Sequence, residues 1–144
     1  MTSTIRHTGI VVNDLDNSIT FWCEIMGFKI QRKMVESGEK IDSMMGLKNV
    51  KVTTAKLSDK NGNLIELLKF ESHPDLKEWQ GKPYSTGISH LALTVDNFDE
   101  TIKKLDKFDI KLKNKPIISN DKKVKVVYIT CLEGLLLEIV ENRS

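Results

Sequence analysis

Two cysteines, three prolines and three histidines are all that the 144 residues contain of these types. Cys23 and Cys131 stand far apart in apolar surroundings, with no CxxC spacing. That pattern excludes a disulfide framework and makes a reducing, cytoplasmic setting the expectation. Long apolar runs are also missing, and the opening Met-Thr-Ser-Thr-Ile-Arg-His has no apolar stretch of the signal-peptide kind, so no membrane partner is expected. Charge of one sign is scarce as well: 22 basic residues face 20 acidic ones, for a net charge of +2. The densest basic cluster, Lys111 to Lys125, is interrupted by Pro116 and Asp121 and reads as a solvated turn and strand. Nucleic acid calls for a focused basic face, so it is not an expected partner. What remains, 40% hydrophobic and 29% charged residues, is the composition of a folded globular chain long enough to bury a core.

The chain contains itself twice. Residues 7–19 read HTGIVVNDLDNSI and residues 90–102 read HLALTVDNFDETI. At this offset His7 falls on His90, Val12 on Val95, Asp16 on Asp99 and Ile19 on Ile102. Such a repeat outweighs any single motif. Each copy translates into a short strand (7–12, then 90–95) followed by a helix. Asp14 and Asn97 are placed to cap the helices, because a short side-chain oxygen accepts an orphan backbone N–H; Glu100 is a capping-box partner for Asn97. Leu15, Ile19, Trp22 and Met26 make one helical stripe, echoed by Phe98, Ile102 and Leu105. Gly27 suits the left-handed residue that ends a helix.

Strand-like segments follow each helix, at roughly 28–35, 50–57 and 63–70 and then at 109–113, 123–131 and 134–141. Asp59-Lys60-Asn61-Gly62 and Glu133-Gly134 supply turns. The closing strands match again, GNLIEL at 62–67 against GLLLEI at 134–139, each with one glutamate among apolar residues. The expected fold is therefore α+β, two tandem βαβββ modules at about 1–72 and 86–144 with a connector at 73–85.

Four residues stand out from this reading. Strand parity puts Glu66 on a face with Leu64 and Leu68, and Glu138 on a face with Leu136 and Val140. A lone ionised carboxylate in apolar company is costly unless it is paired or metal-bound. His7 and His90 open the first strands of the two modules at matching places. Taken singly, each has an ordinary explanation, such as a salt-bridged glutamate or a satisfied histidine. Their equivalence across the repeat points instead to a common divalent ion, and two imidazoles with two carboxylates suit Zn, Ni, Co, Mn or Fe. His73 has no counterpart in the repeat and reads as a surface residue.

The motifs His-x-Gly-Ile-x-Val-x-Asp-Leu-x-x-Ser-Ile-x-Phe at 7–21, Gly-Asn-Leu-Ile-Glu-Leu at 62–67, Gly-Ile-Ser-His-Leu-Ala-Leu-x-Val at 87–95 and Gly-Leu-Leu-Leu-Glu-Ile at 134–139 resemble the vicinal oxygen chelate superfamily. That superfamily includes glyoxalase I, methylmalonyl-CoA epimerase, extradiol dioxygenases, and fosfomycin- and bleomycin-resistance proteins. The resemblance implies one domain over 1–144 whose mixed sheets curl around a metal held by His7, Glu66, His90 and Glu138. It further implies a small-molecule substrate that chelates the ion through two neighbouring oxygens, and a site formed within one chain or across a homodimer. The His-Glu-His-Glu set is similar to that of bacterial glyoxalase I, a lyase, where a glutamate at the place of Glu138 shuttles protons. Glu138 and Glu66 are accordingly the expected catalytic residues. An epimerase usually has Gln in place of Glu66, and an extradiol dioxygenase has no second carboxylate there. Against a glutathione-dependent glyoxalase, the three arginines (Arg6, Arg32 and Arg143) supply no evident binding set for glutathione carboxylates. A binding protein that sequesters a small molecule stays open as the second class. The segment Met34 to Asn49 and the connector with Trp79 and Tyr84 are expected to line or cover the pocket, and Met44 and Met45 read equally well as its soft walls or as ordinary core residues.

Overall fold

Helix starts and turns are set by local chemistry in the computed structural model, which describes residues 1–144. Asp14 accepts a hydrogen bond from the Asn17 N–H at 3.0 Å, and Asn97 accepts one from the Glu100 N–H at 3.0 Å, so each cap satisfies an orphan donor of its helix. The Asp59 carboxylate closes its turn by accepting from the N–H groups of Asn61 and Asn63, each at 2.9 Å.

The chain divides into two units, Met1–Leu76 and Lys77–Ser144. The first runs β1 (Thr8–Val11), α1 (Leu15–Thr20, continued by a π-helical turn over Phe21–Ile25), β2 (Lys29–Ser37), α2 (Glu39–Met45), β3 (Lys51–Ser58) and β4 (Leu64–Phe70). Its four-stranded sheet has the order β1-β4-β3-β2, with β1 parallel to β4 and the other pairs antiparallel. The second unit runs β5 (Leu91–Thr94), α3 (Phe98–Asp106), β6 (Ile117–Ile118), β7 (Val124–Thr130) and β8 (Leu136–Asn142), in the order β5-β8-β7-β6. Here too the outer pair β5–β8 is parallel and the rest antiparallel. Two open, mixed, four-stranded sheets of matching topology make the α+β fold expected from the repeat. No helix is long and apolar enough to cross a membrane.

Each sheet buries one face. In the first unit Ile65, Leu67, Ala55 and Leu57 are buried, together with Leu15, Phe21, Trp22 and Ile25 of the helix. In the second, Leu137, Ile139, Val127 and Ile129 are buried, together with Phe98 and Leu105. The buried helical stripe is turned from the expected one: Ser18 and Thr101 are buried, whereas Ile19, Met26 and Ile102 are only partly so. Phe21 and Trp22 are both deeply buried and meet edge to face at 5.5 Å, and the π-helical turn lets two consecutive residues serve the core. Gly27, at φ 74°, ends the helix as expected.

Two expectations fail locally. Residues 109–113 form no strand, and the edge of the second sheet is instead the short β6. Asp109 has φ 57°, outside the extended region, and Pro116 brings no N–H to a ladder, so the alternating Ile110 and Leu112 do not continue into an edge strand. Asn114 instead donates its side-chain amide to the Tyr128 carbonyl at 3.2 Å. Conversely, the stretch between β2 and β3 holds α2. Ile41 and Met45 lie one turn apart on it and pack with Val50, Val52, Leu68 and Phe70, while Met44 is exposed. Of the two methionines, Met45 therefore takes the core role that the sequence left open beside a pocket wall.

Candidate metal centre

The two glutamates occupy the same place in their units. Glu66 on β4 lies opposite Gly9 of β1 and Lys56 of β3; Glu138 on β8 lies opposite Ala92 of β5 and Tyr128 of β7. Because alternate residues of a strand share a face, each glutamate points away from the buried Ile65/Leu67 or Leu137/Ile139 side. Strands apolar on both sides, as 64–68 and 136–140 are in sequence, suggest burial on both faces, but each carboxylate stands on the less buried one. They project from the sheet's open face, where Gly9 and Ala92 offer little bulk beside them.

His7 and His90 precede β1 and β5 by one residue, two positions from Gly9 and Ala92, which directs them to the same open face. His7 Nε2 lies 3.7 Å from Glu66 Oε1, and His90 Nε2 lies 3.2 Å from Glu138 Oε2. Side-chain exposures of 28% and 17% for the first pair, and 28% and 24% for the second, leave the groups sheltered yet reachable. Each unit therefore gathers two of the four expected ligands, and neither unit holds three or more His, Cys, Asp or Glu side chains in a metal-binding group. His73 is exposed, as expected, with Nδ1 2.7 Å from the Ser72 hydroxyl.

The surroundings of the two imidazoles differ. His90 Nδ1 lies 2.7 Å from Ser89 Oγ, while the Tyr128 hydroxyl is 3.3 Å from Nε2 and its ring packs at 4.9 Å from the imidazole. If Nδ1–H donates to Ser89, the Nε2 lone pair faces Tyr128 and the Glu138 carboxylate. That arrangement sets a nitrogen lone pair and a carboxylate oxygen side by side, as two ligands of one ion would be. His7 Nδ1 is buried with no hydrogen-bond partner, and Glu66 is shared with Lys56, whose Nζ is 3.8 Å from Oε2. The donor chemistry, an imidazole nitrogen facing a carboxylate oxygen in each unit, fits a borderline divalent ion. Burial, followed by the charge of Glu138 and a hydrogen bond to it, raises the Tyr128 phenol above its ordinary range.

Lys56 and Tyr128 were not among the expected site residues. Their signal lay in hairpin arithmetic: each stands ten positions before its glutamate, across a turn that the sequence already marked. Trp79 and Tyr84 of the connector are both exposed, and the Trp79 N–H donates to the Glu133 carbonyl at 3.1 Å.

Paired sheets of this topology, each carrying an imidazole–carboxylate pair on its open face, define a protein of the vicinal oxygen chelate type. Residues 4–118 match the glyoxalase/bleomycin resistance protein/dioxygenase superfamily, and the chain belongs to that family. It is 27% identical to the YaeR protein of Escherichia coli over 138 residues, covering 96% of this chain and 95% of that one. A glyoxalase family protein from Bacillus cereus superposes with a TM-score of 0.90 at 25% identity, covering 100% of this chain and 97% of the other. The trypanothione-dependent glyoxalase I of Leishmania major shares the fold at a TM-score of 0.63 and 20% identity, over 97% and 87% of the two chains.

Proposed function

We propose that the protein is a metal-dependent lyase or isomerase of the glyoxalase I type, moving a proton next to a carbonyl. The ligands of its one divalent ion are His7, Glu66, His90 and Glu138, and the ion is one of Zn, Ni, Co, Mn or Fe. The observation that carries this reading is the repeated imidazole–carboxylate pair at equivalent register positions. When bound, such an ion acts as a Lewis acid toward two neighbouring substrate oxygens. Glu138 is the proton carrier: its Oε2 faces His90 Nε2 at 3.2 Å, and its open-face position lets the carboxylate reach a small molecule. Tyr128, with a phenol that stays protonated, gives a hydrogen-bond donor beside it. Glu66 is the second carboxylate base, and a cytoplasmic homodimer is the working form.

One observation favours a second reading. Glu66 already has a cationic partner in Lys56, so its carboxylate is compensated without a metal, as a protein that only sequesters a small molecule would need. Solvent-deuterium exchange separates the two. Metal-loaded protein should catalyse exchange next to the carbonyl of 2-oxo hemithioacetals. Exchange confined to acyl-CoA thioesters moves the assignment to an epimerase-like racemase. No exchange into either, with tight metal-free binding of an aromatic or antibiotic-like ligand, establishes the sequestering protein instead.

A further inference from the structure

The two half-sites are alike in backbone and unlike in one side chain. Beside Glu138 stands Tyr128, with a phenol; at the same register place beside Glu66 stands Lys56, with an ammonium. Lys56 is 31% exposed and rises from the open face of the sheet, on the central strand β3, with its ammonium 3.8 Å from Glu66 Oε2. Glu66 Oε1 is in turn 3.7 Å from His7 Nε2, so the carboxylate lies between two groups that compete for it. A lysine placed only for stability gains little in such a half-exposed pair. Its effect on what binds is larger, because a carboxylate given over to a divalent ion no longer compensates the ammonium beside it. The ion and its two carboxylates then carry no net charge, the ammonium is left as the uncompensated charge on this face, and a ligand with a negative group satisfies it.

We propose that Lys56 is a specificity-determining residue that holds a carboxylate of the substrate, while the neighbouring oxygens of that substrate reach the metal. This rests on the metal-dependent reading above and narrows its substrate to small acids. Tyr128, uncharged at the matching place, sets the opposite polarity on the other half-site.

The test uses the full chain loaded with Mn(II) and two kinds of chelator. Acetohydroxamate presents two neighbouring oxygens alone; the monohydroxamates of malonic and succinic acid add a carboxylate at two tether lengths. Binding is read by calorimetry in unaltered protein, Lys56→Gln and Lys56→Arg, with thermal melts as a check on folding. The unaltered protein should prefer at least one carboxylate-bearing chelator by about tenfold. Lys56→Gln should abolish that preference while keeping acetohydroxamate affinity, Lys56→Arg should retain most of it, and Mn(II) should bind Lys56→Gln as tightly or more tightly. Equal affinities for the charged and uncharged chelators in unaltered protein, or an equal loss for both in Lys56→Gln, would overturn the proposal and leave the metal-dependent reading standing. Failure of the unaltered protein to bind Mn(II), Zn, Ni, Co or Fe would overturn both.

Discussion

Replacing Ser89 by alanine removes one hydroxyl, and its consequence follows from a single distance. Ser89 Oγ lies 2.7 Å from His90 Nδ1 in a partly buried setting. Losing a hydrogen bond of this kind costs about 0.5–1.5 kcal/mol net, and leaving the nitrogen partnerless adds a desolvation cost of about 1–3 kcal/mol when the group is fully buried. His90 is part-exposed, so water replaces some of the loss, and about 1–2 kcal/mol is the expected total. That corresponds to a roughly 5- to 30-fold weaker metal complex, overlapping the ~10- to 100-fold typical of residues that orient a ligating histidine. Calorimetric titration of the metal-free protein with Zn(II) or Mn(II) reads this directly, and Ser89→Thr, which keeps the hydroxyl, should recover most of the affinity. The comparison with His7 sharpens the test, because its Nδ1 has no hydrogen-bond partner to lose. Unchanged affinity in Ser89→Ala, in a protein whose His90→Ala variant no longer binds metal, would refute the orienting role.

Other outcomes follow from the same geometry. Glu138→Gln keeps the shape of the side chain and should leave the fold intact while abolishing turnover, whereas His7→Ala should chiefly weaken metal binding; circular dichroism and metal titration separate these effects. Leu137, fully buried on the face of β8 opposite Glu138, should cost about 2–5 kcal/mol when cut to alanine, seen as a lower denaturant midpoint at constant slope. Burial pushes the Cys131 thiol up to about 12 from an ordinary value of 9.0. Its folded pKa is the higher one, so the stability it contributes is complete below pH 9 and is lost as pH rises toward 12. Thiol-specific reagents at pH 8 should leave Cys131 unmodified until the protein is denatured, and melts above pH 9 should show the decline.

Where the sequence spoke through local chemistry, the structure follows it. Asp14, Asn97, Asp59 and Gly27 act within a few residues of themselves, so their roles as caps and turns depend on little else. The repeat likewise places His7 with His90 and Glu66 with Glu138 at equivalent register positions, because both halves use the same parallel outer pair. What depended on the face a residue meets was less legible. Residues 109–113 alternate like a strand, yet Asp109 turns the backbone to φ 57° and Asn114 bonds the Tyr128 carbonyl through its side chain. The helix α2 was hidden because its burial rests on two residues, Ile41 and Met45, whose partners Val50 and Phe70 lie outside the helix. Lys56 and Tyr128 escaped notice because each differs from its counterpart, and a search for repeated residues passes over the place where the repeat is broken.

Metal analysis of protein purified without chelators tests the central claim most directly, with the same measurement on His7→Ala, Glu66→Gln, His90→Ala and Glu138→Gln. The account predicts about one transition-metal ion per chain in the unaltered protein and a marked fall in each variant, most severe for the histidines. A metal-free protein that fails to take up Zn, Ni, Co, Mn or Fe on titration, or one whose metal content is the same in all four variants, would contradict it.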